Sequence, residues 1–479
     1  MAIATASSDA FGNIRLTPRL RAACVPVKAN GKNAFVEVLS KGLESDINVP
    51  TLIFHIKDLE NFSSLPLPDT IAAAPAGSVA SDGKFDVSGS VGEDKYLNSY
   101  LVGDSKDEHF KLHFDVTDSG LYCVYVDPAA DVVSYDLPII VRNSYGYLNF
   151  YEYIEVSESR WGLLLYIAVT AWLLRDLIRS VGKDFSNLNN ISVVSKSAVF
   201  LILMPYIGIM IMTLASDFIL NCVAEKGFLS VFFRSGISIF SSLYQVCISI
   251  MLLLFCMGYG VVFYHRQTKS YRQLPAPKMR MAKILGGIQL ALVCVNGMFM
   301  VFASNPSSDL AAGSANSFPV VEGALVLFQF ILYTTSIIQG VKTLRNIKEF
   351  PPYGSSVEDY GEKNEGIRVA FKRSLCLIFL VPMLFGVGAG IIAGVSGGAN
   401  FIQDFGPNVD PALVSYLTLD MLIKDSTFLY FQTWNMIVTT LVVIIGVFFI
   451  WIKGNQGLVV DDKEYFEAPA YGDSDPESV

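Results

Sequence analysis

From Arg160 onward the chain alternates long apolar runs with short polar stretches. Each run approaches the roughly 20 residues that an α-helix needs to cross the hydrocarbon core of a bilayer. The pattern predicts seven spans, at 160–178, 197–220, 235–263, 284–303, 321–341, 374–396 and 428–452. The first has the shortest uncharged core, Trp161 to Leu174, flanked by Trp161 and Trp172, which suit the two interfaces, and by Arg175, which can snorkel.

Ahead of Arg160 the period shortens. Ala34–Leu39, Thr51–Ile56, Lys84–Val87, His109–Val116, Leu121–Val126 and Val132–Arg142 are short runs of Val, Ile, Phe and Tyr, set apart by Gly, Asp, Asn and Pro. They read as strands of an all-β sandwich. The chain thus divides into a β-rich domain (1–146), a linker (147–159), an all-α seven-helix transmembrane bundle (160–452) and an acidic, disordered tail (453–479). Ala72–Gly83 reads as a flexible loop.

Composition agrees with a membrane protein. The chain is 52% hydrophobic and 16% charged, with a mean hydropathy of +0.45, and that apolar excess has to face lipid. The net charge of −9 gathers acid in the N-terminal part and the tail, which argues against nucleic acid as a partner. Lys and Arg concentrate in the first, third and fifth loops between spans, while the fourth, Ser304–Val320, has none. Because basic residues are retained on the cytosolic side, the β domain and the even loops are expected outside the cytosol and the tail inside. Met1–Ala10 has no apolar core of a signal peptide, so either a leader is missing from this sequence, which is the favoured reading, or the first span itself translocates the domain.

Cys24 and Cys123 are the only cysteines of the β domain and are expected to form one disulfide in an oxidising compartment; the alternative is two free thiols. Asn61-Phe-Ser63 is a glycosylation acceptor, whereas Asn190-Ile-Ser192 has the same pattern in a loop assigned to the cytosol. Asp118-Ser-Gly-Leu-Tyr122-Cys123 resembles an immunoglobulin tyrosine corner, but Tyr and Cys are adjacent here and must face opposite ways. Among four histidines only His109 and His113 are close, and surface positions on a strand suit them better than metal ligation. No nucleophile stands at motif spacing from a base and no glycine loop cradles phosphate. Neither catalysis nor a metal or cofactor is expected.

Three passages carry a family resemblance. Gly120-Leu-Tyr-Cys123-Val-Tyr125, Val141-Arg-Asn-Ser-Tyr-Gly146-Tyr-Leu148 and Cys256-Met-Gly258-Tyr259-Gly260-Val-Val262 resemble segments of the seven-transmembrane proteins with a lumenal Golgi-dynamics (GOLD-like) domain, the group that includes the lung seven-transmembrane receptors and fungal Golgi members. Arg21–Cys24 resembles the region of the first lumenal cysteine in that family. The resemblance implies a GOLD-like sandwich, residence in Golgi or endosomal membranes, and a role in trafficking.

Within the spans, Gly258 and Gly260 flank Tyr259 at the end of the third, and close helix packing is the favoured reading, with a helix-end hinge as the functional one. Gly386, Gly388, Gly390 and Gly394 in the sixth span, after Pro382, are read as packing positions, with a local break lining a cavity as the alternative. Gln245, Gln289, Asn296 and Gln329 are expected to hydrogen-bond between helices, and with Asp217 and Glu322 near the lumenal ends they are candidates for lining a polar cavity. The loop 265–283 carries six bases with affinity for anionic membrane lipids, and it and the acidic tail are candidate contacts for cytosolic sorting machinery.

These features favour a trafficking protein whose lumenal domain binds cargo as a receptor or chaperone. A G-protein-coupled-like signalling receptor and a channel or pH-regulating conductance are the alternatives. The third span ends in Val261-Val-Phe-Tyr-His265-Arg266 rather than an acid-Arg-aromatic triplet, and no span carries a charged row.

Overall fold

The computed structural model describes residues 14–18, 20–30, 33–40, 43, 47–62, 65–73, 77, 79–81, 84–87, 92, 95–103, 111–129, 132, 134–182, 191–223, 228–263, 274–303, 309–347, 360–393 and 411–452. His109, Ser63, Asn190, most of the basic loop before Leu274, and the whole tail lie outside them.

The N-terminal part is a sandwich of two four-stranded antiparallel sheets. Its strands are β1 (Arg15–Leu16), β2 (Ala22–Val27), β3 (Ala34–Leu39), β4 (Asn48–His55), a small ribbon of β5 (Ala80–Ser81) and β6 (Lys84–Phe85), then β7 (Tyr96–Val102), β8 (Lys111–Val116), β9 (Gly120–Val126) and β10 (Leu137–Arg142). One sheet runs β1-β10-β3-β8 and the other β2-β9-β4-β7. Alternation along the strands makes the core: Val36 and Val38 of β3, Val25 and Val27 of β2, and Tyr122, Val124 and Val126 of β9 meet between the sheets. Strand β9 is buried at all seven positions, which a sheet with one wet face does not require. Its other row, Leu121, Cys123 and Tyr125, lies under a second apolar layer.

Cys24 and Cys123 are partners in the β2–β9 register and form the expected disulfide. Tyr122 faces the opposite way, into the inter-sheet core, with its hydroxyl donating to the Asp118 carbonyl at 3.0 Å. The bridge therefore ties two neighbouring strands of one sheet instead of linking the sheets, which separates this sandwich from the immunoglobulin arrangement. Arg21 and Asp127 form a buried ion pair at 3.0 Å, and Asp127 also accepts from the Gly77, Val79 and Ala80 amides, so its charge is compensated.

Helix α1 (Pro68–Ala73) covers part of the outer sheet face. Seven helices are long and apolar enough to cross a membrane, with spans Phe150–Ser180, Val193–Leu220, Ser235–Cys256, Ala276–Gly297, Gly323–Asn346, Glu365–Ile391 and Thr427–Ile452. They belong to α2 (Phe150–Ser180), α3 (Val193–Leu220, with a π-helical stretch at Ala198–Leu203), α4 (Phe228–Cys256), α5 (Ala276–Ala303), α6 (Asp309–Asn346), α7 (360–393, π-helical at Cys376–Leu380) and α9 (Thr427–Ile452). Side chains such as Phe330, Leu384 and Met436 point outward, as lipid contact requires. The chain is a multi-pass membrane protein with a β-sandwich domain.

Three expectations are corrected. Most of the segment 147–159, expected as a linker, is helix: Asn149 caps α2 through the Tyr151 amide while Glu152 returns a bond to the Asn149 amide, so α2 starts at Phe150 and continues without a break into the span. The third span ends at Cys256, short of Phe263. Gly258 and Gly260 adopt φ of 95° and 78°, values that glycine alone adopts freely, so they stop the helix, and Gly258 also admits Thr343 of α6, whose methyl would stand 3.1 Å from a Cβ there. Thr343 of α6 donates to the Cys256 carbonyl at 2.8 Å and Lys278 of α5 to the Met257 carbonyl at 3.1 Å, which fixes that end.

The glycines of α7 are the third correction. Among the described residues a Cβ at Gly386, Gly388 or Gly390 would meet nothing within 4 Å, so these glycines make no close helix contact there, and Gly394 lies outside those residues. Close approach falls elsewhere: a Cβ at Gly446 of α9 would stand 2.7 Å from Leu377 of α7, and one at Gly162 of α2 2.9 Å from Ile437 of α9. Gly446→Leu is therefore expected to destabilise the bundle by about 1–3 kcal/mol. Gly388→Leu should leave the melting temperature in detergent within a degree or so of wild type, a few tenths of a kcal/mol at most. Equal losses from the two would refute this assignment of the packed face.

Candidate functional site at the junction of sandwich and bundle

The second layer over the outer sheet face comes from the stretch between the last two spans. Pro411–Lys424 forms a helix, α8, that lays Leu413, Tyr416, Leu417 and Ile423 onto Leu121, Cys123, Leu52 and Phe54. The disulfide lies beneath it. Phe150 and Ile154, from the first turns of α2, complete the same cluster.

Asp420 of α8 is fully buried at the centre of this contact. Its Oδ1 accepts from the Leu121 amide at 2.8 Å and lies 3.1 Å from His55 Nε2; its Oδ2 accepts from Lys424 Nζ at 3.0 Å and is 3.7 Å from Lys57 Nζ. Burial by itself would raise the Asp420 pKa. The bond and charge of His55, the Leu121 amide and Lys424 outweigh it and hold the carboxyl below the usual carboxylate range. His55 Nδ1 accepts from the Lys57 amide at 3.2 Å, so a neutral ring carries its proton on Nε2, toward Asp420. The ring also stands edge-on to Tyr122 at 4.9 Å. Burial, followed by the charges of Asp118, Asp420 and Asp58, pushes the Tyr122 hydroxyl well above its ordinary pKa, so it remains a neutral donor. Gly120 starts β9 because a Cβ there would overlap both His55 Nε2 and Asp420 Oδ1.

A second attachment lies at the exit from the sandwich. Asn143 accepts from the Lys28 amide at 2.7 Å and donates to the Leu148 carbonyl at 2.8 Å. Asn221, at the end of α3, accepts from the Leu148 amide and donates to the Tyr145 carbonyl. Gly146 has φ 130°, and any side chain there would run into Asn221. Lys28 joins the two attachments, since its Nζ donates to the Ile423 and Lys424 carbonyls at 2.8 and 3.0 Å and caps the C-terminus of α8. Burial lowers its pKa, against the opposing pull of Asp425. The sandwich is thus bolted to α2, α3 and the helix that leads into α9.

Of the polar residues expected inside the bundle, Gln289 of α5 and Gln329 of α6 do meet, at 3.1 Å, with Ser249 of α4 as the third member at 3.1 and 3.4 Å. Replacing Gln289 with Leu should cost about 0.6–2 kcal/mol, and a double-mutant cycle with Ser249→Ala should show coupling; additivity would contradict the three-helix clasp. Gln245 is exposed on the outside of α4, so it does not bond between helices as expected. Asn296 Oδ1 is buried with no hydrogen-bond partner. The side chain of Asp217 is half-buried one turn before Asn221, and that of Glu322 lies outside the description. Gln289 and Gln329 are thus brought together among the described residues. Tyr259 sits in the turn after α4, and Asn61 is exposed at the end of the 3-10 turn Ile56–Asn61, open to modification.

Comparison of the chain with models of known protein families and with curated proteins gives no match.

Sequence reasoning missed the roles of Asp420, His55, Lys28, Gly120 and Asn221: 397–427 fell between two predicted spans and read as a loop, Asn221 stands just past the end of the second span, and the other three lie in strands or turns with no local motif that points to the contact. Signals for them were there. Leu413, Tyr416, Leu417, Asp420 and Ile423 follow the i, i+3, i+4 spacing of one helix face, and the unbroken apolar row of β9 announces two buried faces. Glu158, buried in α2 with Oε2 unpartnered, escaped because the first span was started at Arg160.

Proposed function

We propose that this chain is a seven-span protein of Golgi membranes, cycling to endosomes, that acts in membrane trafficking as a cargo receptor or chaperone. The β-sandwich lies in the lumen and the C-terminus in the cytosol, as in the GOLD-like seven-transmembrane family it resembles. The observation that carries this reading is the Cys24–Cys123 bridge between paired strands, a bond kept in the oxidising lumen of the secretory pathway. The excess of Lys and Arg in alternate loops supports the same orientation. The sandwich binds cargo, the cytosolic loops and tail meet sorting machinery, and no catalysis takes part. Tagging the C-terminus and following compartment and cargo on deletion tests it: Golgi residence with mis-sorted lumenal or surface proteins is expected, and plasma-membrane residence with intact sorting would overturn it.

One observation favours a second reading. The sandwich is held rigidly to α2 and, through α8, to α9, so occupancy of the domain would be felt by two helices that pack on each other, as a signalling receptor needs. Stimulated guanine-nucleotide exchange on purified G proteins would favour the receptor; none is expected from a cargo carrier. The third alternative, a conductance, predicts currents in planar bilayers that depend on Glu322 or Asp217.

A further inference from the structure

At the end of α2 remote from the sandwich, a groove of about 580 Å³ runs along the helix, lined by Ala171, Leu174, Arg175, Ile178, Arg179 and Gly182. These positions repeat at i, i+3 and i+4 and form a stripe beside the buried one of Thr170, Leu173, Leu177 and Val181, which packs into the bundle. The groove consequently opens outward, toward lipid. Ala171, Leu174 and Ile178 make its described lining largely apolar, and the exposed Arg175 and Arg179 stand on it one turn apart. Neither the Arg175 nor the Arg179 side chain has an ion pair or hydrogen bond among the described residues, although Asp176 stands between them in sequence. Trp172, exposed on the same turn as Ala171, marks the level where acyl chains give way to headgroups.

An apolar trough that ends in two unpartnered cations at headgroup depth matches an amphiphile with a hydrocarbon tail and a phosphate. We propose that this groove binds one anionic glycerophospholipid bearing a phosphomonoester headgroup, with the Arg175 and Arg179 guanidinium groups on the phosphate and an acyl chain along Leu174 and Ile178. Guanidinium pairs bind phosphate oxygens through parallel N–H bonds, which a lysine ammonium does not reproduce.

The full chain, purified in detergent and stripped of lipid, is titrated with phosphatidylinositol 4-phosphate and, separately, with phosphatidylcholine, and bound lipid is counted by native mass spectrometry. One phosphoinositide retained in preference to phosphatidylcholine is expected. Arg175→Gln with Arg179→Gln should weaken that binding by about tenfold or more, while Arg160→Gln, at the other end of α2, leaves it unchanged. Arg175→Lys with Arg179→Lys should fall between the two. Melting temperatures and the intact disulfide report that each variant is folded. Equal retention of both lipids, unchanged binding in the double glutamine variant, or equally tight binding of the soluble inositol phosphate headgroup would overturn the proposal, the last by showing that a free phosphate suffices.

Discussion

Replacing Asp420 with alanine is expected to undock α8 from the sandwich. The change strips the Leu121 amide and Lys424 of their acceptor, and His55 of the carboxylate 3.1 Å from its Nε2, inside a closed contact. Breaking one side of a buried, hydrogen-bonded charge cluster costs about 3–5 kcal/mol. The measured outcome is a lower melting temperature for the sandwich in detergent, together with new protease cleavage within 411–424. Gly120→Ala should have a similar effect from the opposite side, because its methyl group displaces His55 or Asp420. Asp420→Asn keeps an acceptor for the Leu121 amide and should lose less. Its difference from wild type also carries a pH signature. A carboxylate whose folded pKa is depressed adds stability above its unfolded pKa and loses it as pH falls through the folded value. The gap between wild type and Asp420→Asn should therefore stay open from pH 7 to about pH 5 and close only below about pH 4, where the unfolded carboxyl has its ordinary pKa of about 3.9. A gap that closes near pH 6 would contradict the contacts described for Asp420.

The second large effect is expected from Cys24→Ser with Cys123→Ser. The bridge closes a loop with a sequence separation of 99 residues, and losing it removes a constraint on the unfolded domain worth about 2–5 kcal/mol. The cysteines also sit under Leu413 and Tyr416, so the loss should loosen α8 as well as β2 and β9. Dithiothreitol should lower the melting temperature of wild type toward that of the double variant and leave the variant unmoved. A reductant effect of equal size on both proteins would show that another thiol is responsible.

The larger features of the molecule are legible in its sequence for physical reasons. Lipid demands long uninterrupted apolar runs, and a strand with one wet face demands alternation, so the seven spans and most strands declare themselves. Cys24 and Cys123 were readable because polar domains seldom hold unpaired cysteines. The motifs Cys256–Val262 and Val141–Leu148 were visible as sequence, but their purpose was not. Gly258 and Gly146 matter through backbone angles and through neighbours, Thr343 and Asn221, that stand far away along the chain. The same holds for the junction, where His55, Gly120 and Asp420 come from three remote segments and no local spacing connects them. The 14 residues of α8 looked polar enough for a loop because Asp420 interrupts their apolar face, and that interruption is the contact itself.

The central claim is that the sandwich and the helix preceding the last span lie on one side of the membrane and are docked through Asp420. Lys57 Nζ and Lys424 Nζ stand 3.7 and 3.0 Å from the same Asp420 oxygen, which places the two amines within reach of a short amine-reactive linker. Cross-linking in native membranes followed by peptide mass spectrometry should recover a Lys57–Lys424 link, and the link should disappear in Asp420→Ala. Recovery of links from Lys57 to other lysines, with none to Lys424 in the wild-type protein, would contradict the account.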